Sequence, residues 1–124
     1  MKTLHPIAAA VLIGFSVNAF SDNNHAILVQ VGGGNMAVAD QSDLTIRNNL
    51  IVQAQIGTAN DSDASQTTGT SNSVATHLQV GELNTSESLQ QFNTSQSNIF
   101  INQVGSMNEL LSILVFSQSD QAAL

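Results

Sequence analysis

The chain has 124 residues, enough for one small domain, and sets two basic side chains against nine acidic ones, a formal net charge of -7. That balance disfavours a nucleic-acid partner, and the lack of cysteine excludes disulfides, thiolate metal sites and a cysteine nucleophile. With aromatics at 4%, any apolar core must be built from small aliphatics, whereas Asn (13), Gln (12), Ser (15) and Thr (9) together supply 49 residues, a bias common in disordered and amyloid-forming chains.

Residues 1–21 read as an export signal. Lys2 gives a positive start, Ile7 to Phe15 an apolar stretch too short to span a bilayer, and Ala19 or Ser21 a small residue at which to cleave. Removal of this segment leaves Arg47 as the one Lys or Arg of the mature chain.

From residue 22 onward the sequence repeats. The string Gln-x-Gly-x-x-Asn occurs at Gln30-Gly32-Asn35, Gln55-Gly57-Asn60, Gln79-Gly81-Asn84 and Gln103-Gly105-Asn108, with glutamine spacings of 25, 24 and 24. At ordinary residue frequencies it is expected at roughly one position in ten thousand, so the copies form a repeat. Further columns align with it. Six before each glutamine stand Asn24, Asn49, Ser73 and Ser97, and seven before stand Asn23, Asn48, Asn72 and Gln96. Eleven after stand Gln41, Gln66, Gln90 and then Leu114, which breaks the column.

Offsets -6, 0 and +2 share one parity and +5, +7 and +11 another, so each unit holds two period-2 segments around Gly-x-x-Asn. This predicts an all-β fold, a β-solenoid of strand-turn-strand rungs over 22–124, with units at about 24–47, 48–71, 72–95 and 96–118. One such unit cannot bury a face alone, but stacked units can. Equivalent residues then lie one strand spacing apart, about 4.8 Å, and identical amides in a column donate to one neighbour and accept from the other. Gly32, Gly57, Gly81 and Gly105 are expected to take the positive φ of the turn, and the asparagine after each to tolerate similar geometry.

Inward candidates on the first strands are Ala26 and Leu28, Ile51 and Gln53, Ala75 and His77, and Ile99 and Ile101. On the second strands they are Ala37 and Ala39, Ser62 and Ala64, Ser86 and Ser88, and Leu110 and Ser112. Units 2 and 3 are therefore polar inside, and are expected to be the least stable rungs or to be held mainly by hydrogen bonds. The other parity of the first strands is partly apolar, as at Ile27, Val29, Val52, Leu78 and Phe100, a surface that would pack against something. Strand parity also admits the inverted facing, with the amides in water.

At these residues the chain resembles the curli fibre subunits, whose repeat reads Ser-x5-Gln-x-Gly-x-x-Asn-x-Ala-x3-Gln. The likeness covers residues 24 to about 118, with Asn24 and Asn49 for the first serine, Ser62 and Ser86 for the alanine, and Leu110 and Leu114 closing the last unit. It implies a structural subunit of an extracellular amyloid fibre, used in surface adhesion and biofilm matrix, that passes through the periplasm to the bacterial cell surface. Implied partners are the chain itself, other curli subunits, periplasmic chaperones and an outer-membrane secretion pore. Family members usually carry a further repeat and an N-terminal segment addressed to the pore, whereas here the first unit starts just after the expected cleavage site. The polymerising and nucleating subunits share the motif, and a monomeric β-solenoid adhesin is the alternative reading.

On this reading the functional residues are the ladder amides Gln30, Asn35, Gln41, Gln55, Asn60, Gln66, Gln79, Asn84, Gln90, Gln103 and Asn108. No catalytic residue, metal, cofactor or small-molecule substrate is expected. His25 and His77 fall on opposite strand faces without a carboxylate to orient them. Gly32-Gly33-Gly34 lacks the lysine and following helix of a phosphate loop. Asp40, Asp61, Asp63, Glu82 and Glu87 do not recur in a calcium-binding register and are read as solubilising gatekeepers. The glycosylation sequons at Asn60, Asn84 and Asn93 are read as structural, the first two as turn residues.

Overall fold

The computed structural model describes residues 23–115, together with the backbone of Val11–Gly14 and Gln121–Ala123. The expected export signal lies outside the described residues except for the strand at Val11–Gly14.

The strands follow the repeat. They are β1 (Val11–Gly14), β2 (His25–Gly33), β3 (Met36–Asp40), β4 (Leu50–Thr58), β5 (Asp61–Gln66), β6 (Val74–Glu82), β7 (Thr85–Gln91), β8 (Asn98–Ser106), β9 (Glu109–Val115) and β10 (Gln121–Ala123). A long strand and a short strand make one rung, and four rungs stack in parallel as a β-solenoid about 24 residues per turn. Sheet one runs β1-β2-β4-β6-β8-β10 and sheet two β3-β5-β7-β9. The register is strict, so that Gln30, Gln55, Gln79 and Gln103 pair in sequence and the four repeat glycines do likewise.

Two pairings lie beyond the repeat. β1 runs antiparallel along the edge of β2, and β10 runs parallel to β8 over Asn98, Ile99 and Phe100. Among the described residues, the outer strands of sheet two, β3 and β9, each pair on one side only.

The interior is polar. Among the described residues, buried hydrophobic side chains are limited to Ile46, Ile51, Ala64, Ala75, Ile99 and Ile101, whereas asparagine, glutamine, serine and threonine dominate the buried set. Apolar burial at about 25 cal/mol per Å² is therefore a minor contribution between the sheets, and satisfied hydrogen bonds must keep the buried amides from destabilising the fold. The facing is amides inward: Gln55, Gln66, Gln79 and Gln90 are all 0% exposed. Units 2 and 3 do carry most of this polar interior, and hydrogen bonds hold it.

Each bend uses a left-handed residue, but not the one expected after the glycine. The repeat glycines have φ between 115 and 130°, and the second left-handed position is Gly34 (68°), Ala59 (53°), Leu83 (54°) or Met107 (57°), one residue before the asparagine. Asparagine is not needed there for its backbone, because its side chain ties the bend to the adjacent rung. The bend back to sheet one takes its left-handed residue from the column at -7, where Asn23, Asn48, Asn72 and Gln96 have φ of 61, 54, 51 and 54°. Asparagine is among the non-glycine residues that visit this region most readily, which accounts for three of the four.

Candidate functional site

Three amide columns link the rungs. In the first, Gln30 Nε2 donates to Gln55 Oε1 at 2.7 Å, Gln55 to Gln79 at 2.8 Å and Gln79 to Gln103 at 2.8 Å. The spare amide hydrogen of each inner glutamine crosses the interior to sheet two, from Gln55 to the Met36 carbonyl, Gln79 to Asp61 and Gln103 to Thr85. Each glutamine thus fastens its rung to the next and one sheet to the other.

The second column lies on the other side of the lumen. Gln41 donates to Gln66 at 2.6 Å and Gln66 to Gln90 at 2.7 Å, and the column ends under Leu114, which has no amide. The third runs in the opposite sense, with Asn60 Nδ2 donating down to Asn35 Oδ1, Asn84 to Asn60 and Asn108 to Asn84. The same oxygens accept the backbone N–H of the asparagine above. Asn35, Asn60 and Asn84 also donate to the carbonyls of Gly57, Gly81 and Gly105.

Those glycines have a second constraint beyond their φ. A Cβ on Gly32, Gly57 or Gly81 would overlap the carbonyl oxygen of the glycine one rung up. Gly33, in the same three-glycine run, has no atom near that position and no left-handed φ.

A fourth column, noticed as a repeat but not placed among the functional residues, works in the same way. Asn49 N–H is held by Asn24 Oδ1, Ser73 N–H by Asn49 Oδ1 and Ser97 N–H by Ser73 Oγ. Its signal was the recurrence at -6. Missed altogether was the column Ile46, Thr70 and Thr94, buried inside the return bend. There Thr70 Oγ1 donates to the Thr67 and Gln90 carbonyls.

Inside rung 3 the columns meet an irregular cluster. His77 is 1% exposed, with Ser62 Oγ at 2.8 Å and Ser86 Oγ at 2.9 Å from Nδ1, and Ser88 Oγ at 2.7 Å from Nε2. Burial alone lowers its pKa from the ordinary 6.5 to about 4, because the charged imidazolium would lose its hydration. Below it, Gln53 Nε2 donates to the Val38 and Ser62 carbonyls. Gln53 Oε1 is the buried side-chain atom, among the described residues, with no hydrogen-bond partner. Its column reads Leu28, Gln53, His77, Ile101, so no matching amide stands above or below it.

His25 is exposed on the outer side of β2, away from His77. Asp61, Asp63 and Glu87 line a shallow groove on the outer side of sheet two, with Met36, Val38, Thr85 and Ser86. Burial, then the charges of Glu87, Asp61 and Asp40, raise the pKa of Asp63. Among the described residues, no three His, Asp or Glu side chains converge as metal ligands would. Asn60 and Asn84 of the sequons are buried in their ladder, where a glycan has no room. No protein-family model matches the chain, and no curated protein matches it in sequence.

Proposed function

We propose that the chain is a structural subunit that polymerises end to end into an extracellular amyloid fibre of the curli type, serving adhesion and biofilm matrix. The observation that carries the reading is the polarity of the columns. Among the described residues, Gln30 at the first rung receives no donor from below and offers Oε1, and Gln103 at the last retains an amide hydrogen beyond its bond to Thr85. In the opposite sense Asn108 offers Oδ1 upward, and the Asn35 amide of a following copy, which donates to the Val31 and Gly57 carbonyls in the single chain, would exchange the Val31 bond for it. The two ends are thus unlike and mutually matching, the condition for an open head-to-tail polymer, and the singly paired edges of β3 and β9 supply free backbone donors and acceptors. On this reading export removes β1 along with residues 1–21 and frees the edge of β2, while β10 gives up its place on β8 to the β2 of the next copy. Secretion would proceed through the periplasm and an outer-membrane pore, with chaperones and sister subunits as partners.

The test is assembly of the chain lacking residues 1–21. Fibres with reflections at about 4.8 and 10 Å are expected, and Gln103→Ala should slow their growth more than Gln96→Ala, which lies outside the ladders. A chain that stays monomeric at high concentration overturns the reading.

A second reading, a monomeric binding module, draws on β1 and β10, which occupy both edges of sheet one. Sizing combined with an amyloid-dye assay separates the two. The Leu114 break favours a chain that caps or seeds a fibre, and substoichiometric addition to a separately purified polymerising subunit tests that role.

A further inference from the structure

Charge is divided between the two outer faces of the solenoid. The long strands contain no Asp, Glu, Lys or Arg at 25–31, 50–56, 74–80 or 98–104. Their outward residues are apolar apart from His25, Thr76, Asn98 and Asn102, and the exposed ones include Ile27 (43%), Ile56 (47%) and Phe100 (45%). The outward side of sheet two instead carries Asp61, Asp63, Glu87 and Glu109, set among the exposed Met36, Val38, Leu111 and Ile113, with Asp63 directly beside Glu87 in the register.

The size of the apolar face decides what it can bind. Four strands at about 4.8 Å and seven residues at about 3.3 Å give a flat patch of roughly 450 Å². Two such patches face to face bury roughly 900 Å², short of the ~1,200 Å² at which stable interfaces begin. A face that lengthens by stacking passes that limit after one further subunit on each side.

We propose that this face docks on the same face of a second copy once chains have stacked, so that filaments pair laterally, and that the acidic faces left outside stop association at two. The proposal rests on the end-to-end reading above. An uncharged apolar surface meets its own copy without desolvating any ion, whereas two acidic faces would set like charges opposite one another.

Mass per unit length, measured by dark-field electron microscopy on filaments of the chain lacking residues 1–21, tests it. Four rungs advance about 19 Å, so a paired filament holds two chains per 19 Å. Thr76→Lys puts a charge at the centre of the face, away from both stacking ends, and should halve that mass while the 4.8 Å reflection persists. Asp63→Asn combined with Glu87→Gln should yield filaments of more than two stacks. Single wild-type filaments, or Thr76→Lys filaments that stay paired, overturn the pairing and leave the end-to-end reading intact. Single filaments that coat phosphatidylcholine vesicles also overturn it, assigning the face to lipid. Absence of filaments in every variant, wild type included, overturns the end-to-end reading and the pairing with it.

Discussion

Gln53 and Gln55 are neighbours on the same face of β4, both 0% exposed, yet one belongs to a ladder and the other does not. Gln55 has glutamine below and above; Gln53 has Leu28 and His77. Gln55→Leu would strip the Gln30 amide and the Gln79 carbonyl of their partners, at about 1–3 kcal/mol for each orphaned group. Gln53→Leu removes an oxygen that has no partner already, together with the two amide hydrogens given to the Val38 and Ser62 carbonyls. Urea unfolding should therefore show a loss of about 3 kcal/mol for the first and a smaller loss for the second, because the orphan oxygen goes with the side chain. Equal losses would contradict the ladder account.

Leu114 interrupts the column of Gln41, Gln66 and Gln90. In a head-to-tail stack it would face the Gln41 of the next copy and leave that amide unmatched. Leu114→Gln restores the column, and should shorten the lag of assembly and raise the denaturant concentration needed to dissolve fibres. An unchanged lag would separate this column from growth.

His77 makes stability depend on pH. Its pKa is about 4 in the folded chain against about 6.5 unfolded, so the folded state holds fewer protons between those values. The stabilisation is complete above pH 6.5, declines as pH falls towards 4 and is flat below, a span of roughly 3 kcal/mol. Ser62, Ser86 and Ser88 touch the ring, Gln53 and Ile101 flank it, and none carries a charge. His77→Gln should abolish this slope in unfolding curves taken from pH 4 to 7.

Asp63 acts in the other direction and on the outer surface. Because its pKa is raised in the folded chain, its ionised form disfavours folding, and stability falls as pH rises through the carboxylate range. Asp63→Asn should remove that dependence while leaving the His77 slope unchanged.

The three-glycine run distinguishes two roles within three residues. Gly32→Ala combines a φ of 115° with overlap on the Gly57 carbonyl, and should cost about 3 kcal/mol or more. Gly33→Ala meets nothing and has no left-handed φ, so it should be neutral or gain up to about 1 kcal/mol by restricting the unfolded chain. Thermal melts of the two variants check this directly.

The repeat was legible because an in-register parallel stack requires like residues to recur at a fixed interval. Gln30, Gln55, Gln79 and Gln103 could be aligned without knowing which way any side chain pointed. Facing was legible only as the preferred of two parities, since strand alternation is symmetric until burial breaks it, and the structure places Gln79 inside and Leu78 outside as that preference had it. The left-handed positions at Ala59, Leu83 and Met107 gave no signal either, because none of these residue types favours that backbone. β1 and β10 have no counterpart in the repeat. The ladder at Asn24, Asn49, Ser73 and Ser97 was visible as a column, but its donors are backbone N–H groups, which sequence does not display.

Because every rung presents the same glutamine, glycine and asparagine surfaces upward and downward, the number of rungs is free to change. Deleting residues 72–95 would bring Gln55 beneath Gln103, Gly57 beneath Gly105 and Asn60 beneath Asn108, with these three columns still closed. Duplicating the same stretch would add one storey whose one new joint is His77 on His77. Length in this molecule is thus a copy number of one module, and gene duplication can lengthen or shorten it without redesigning these three columns.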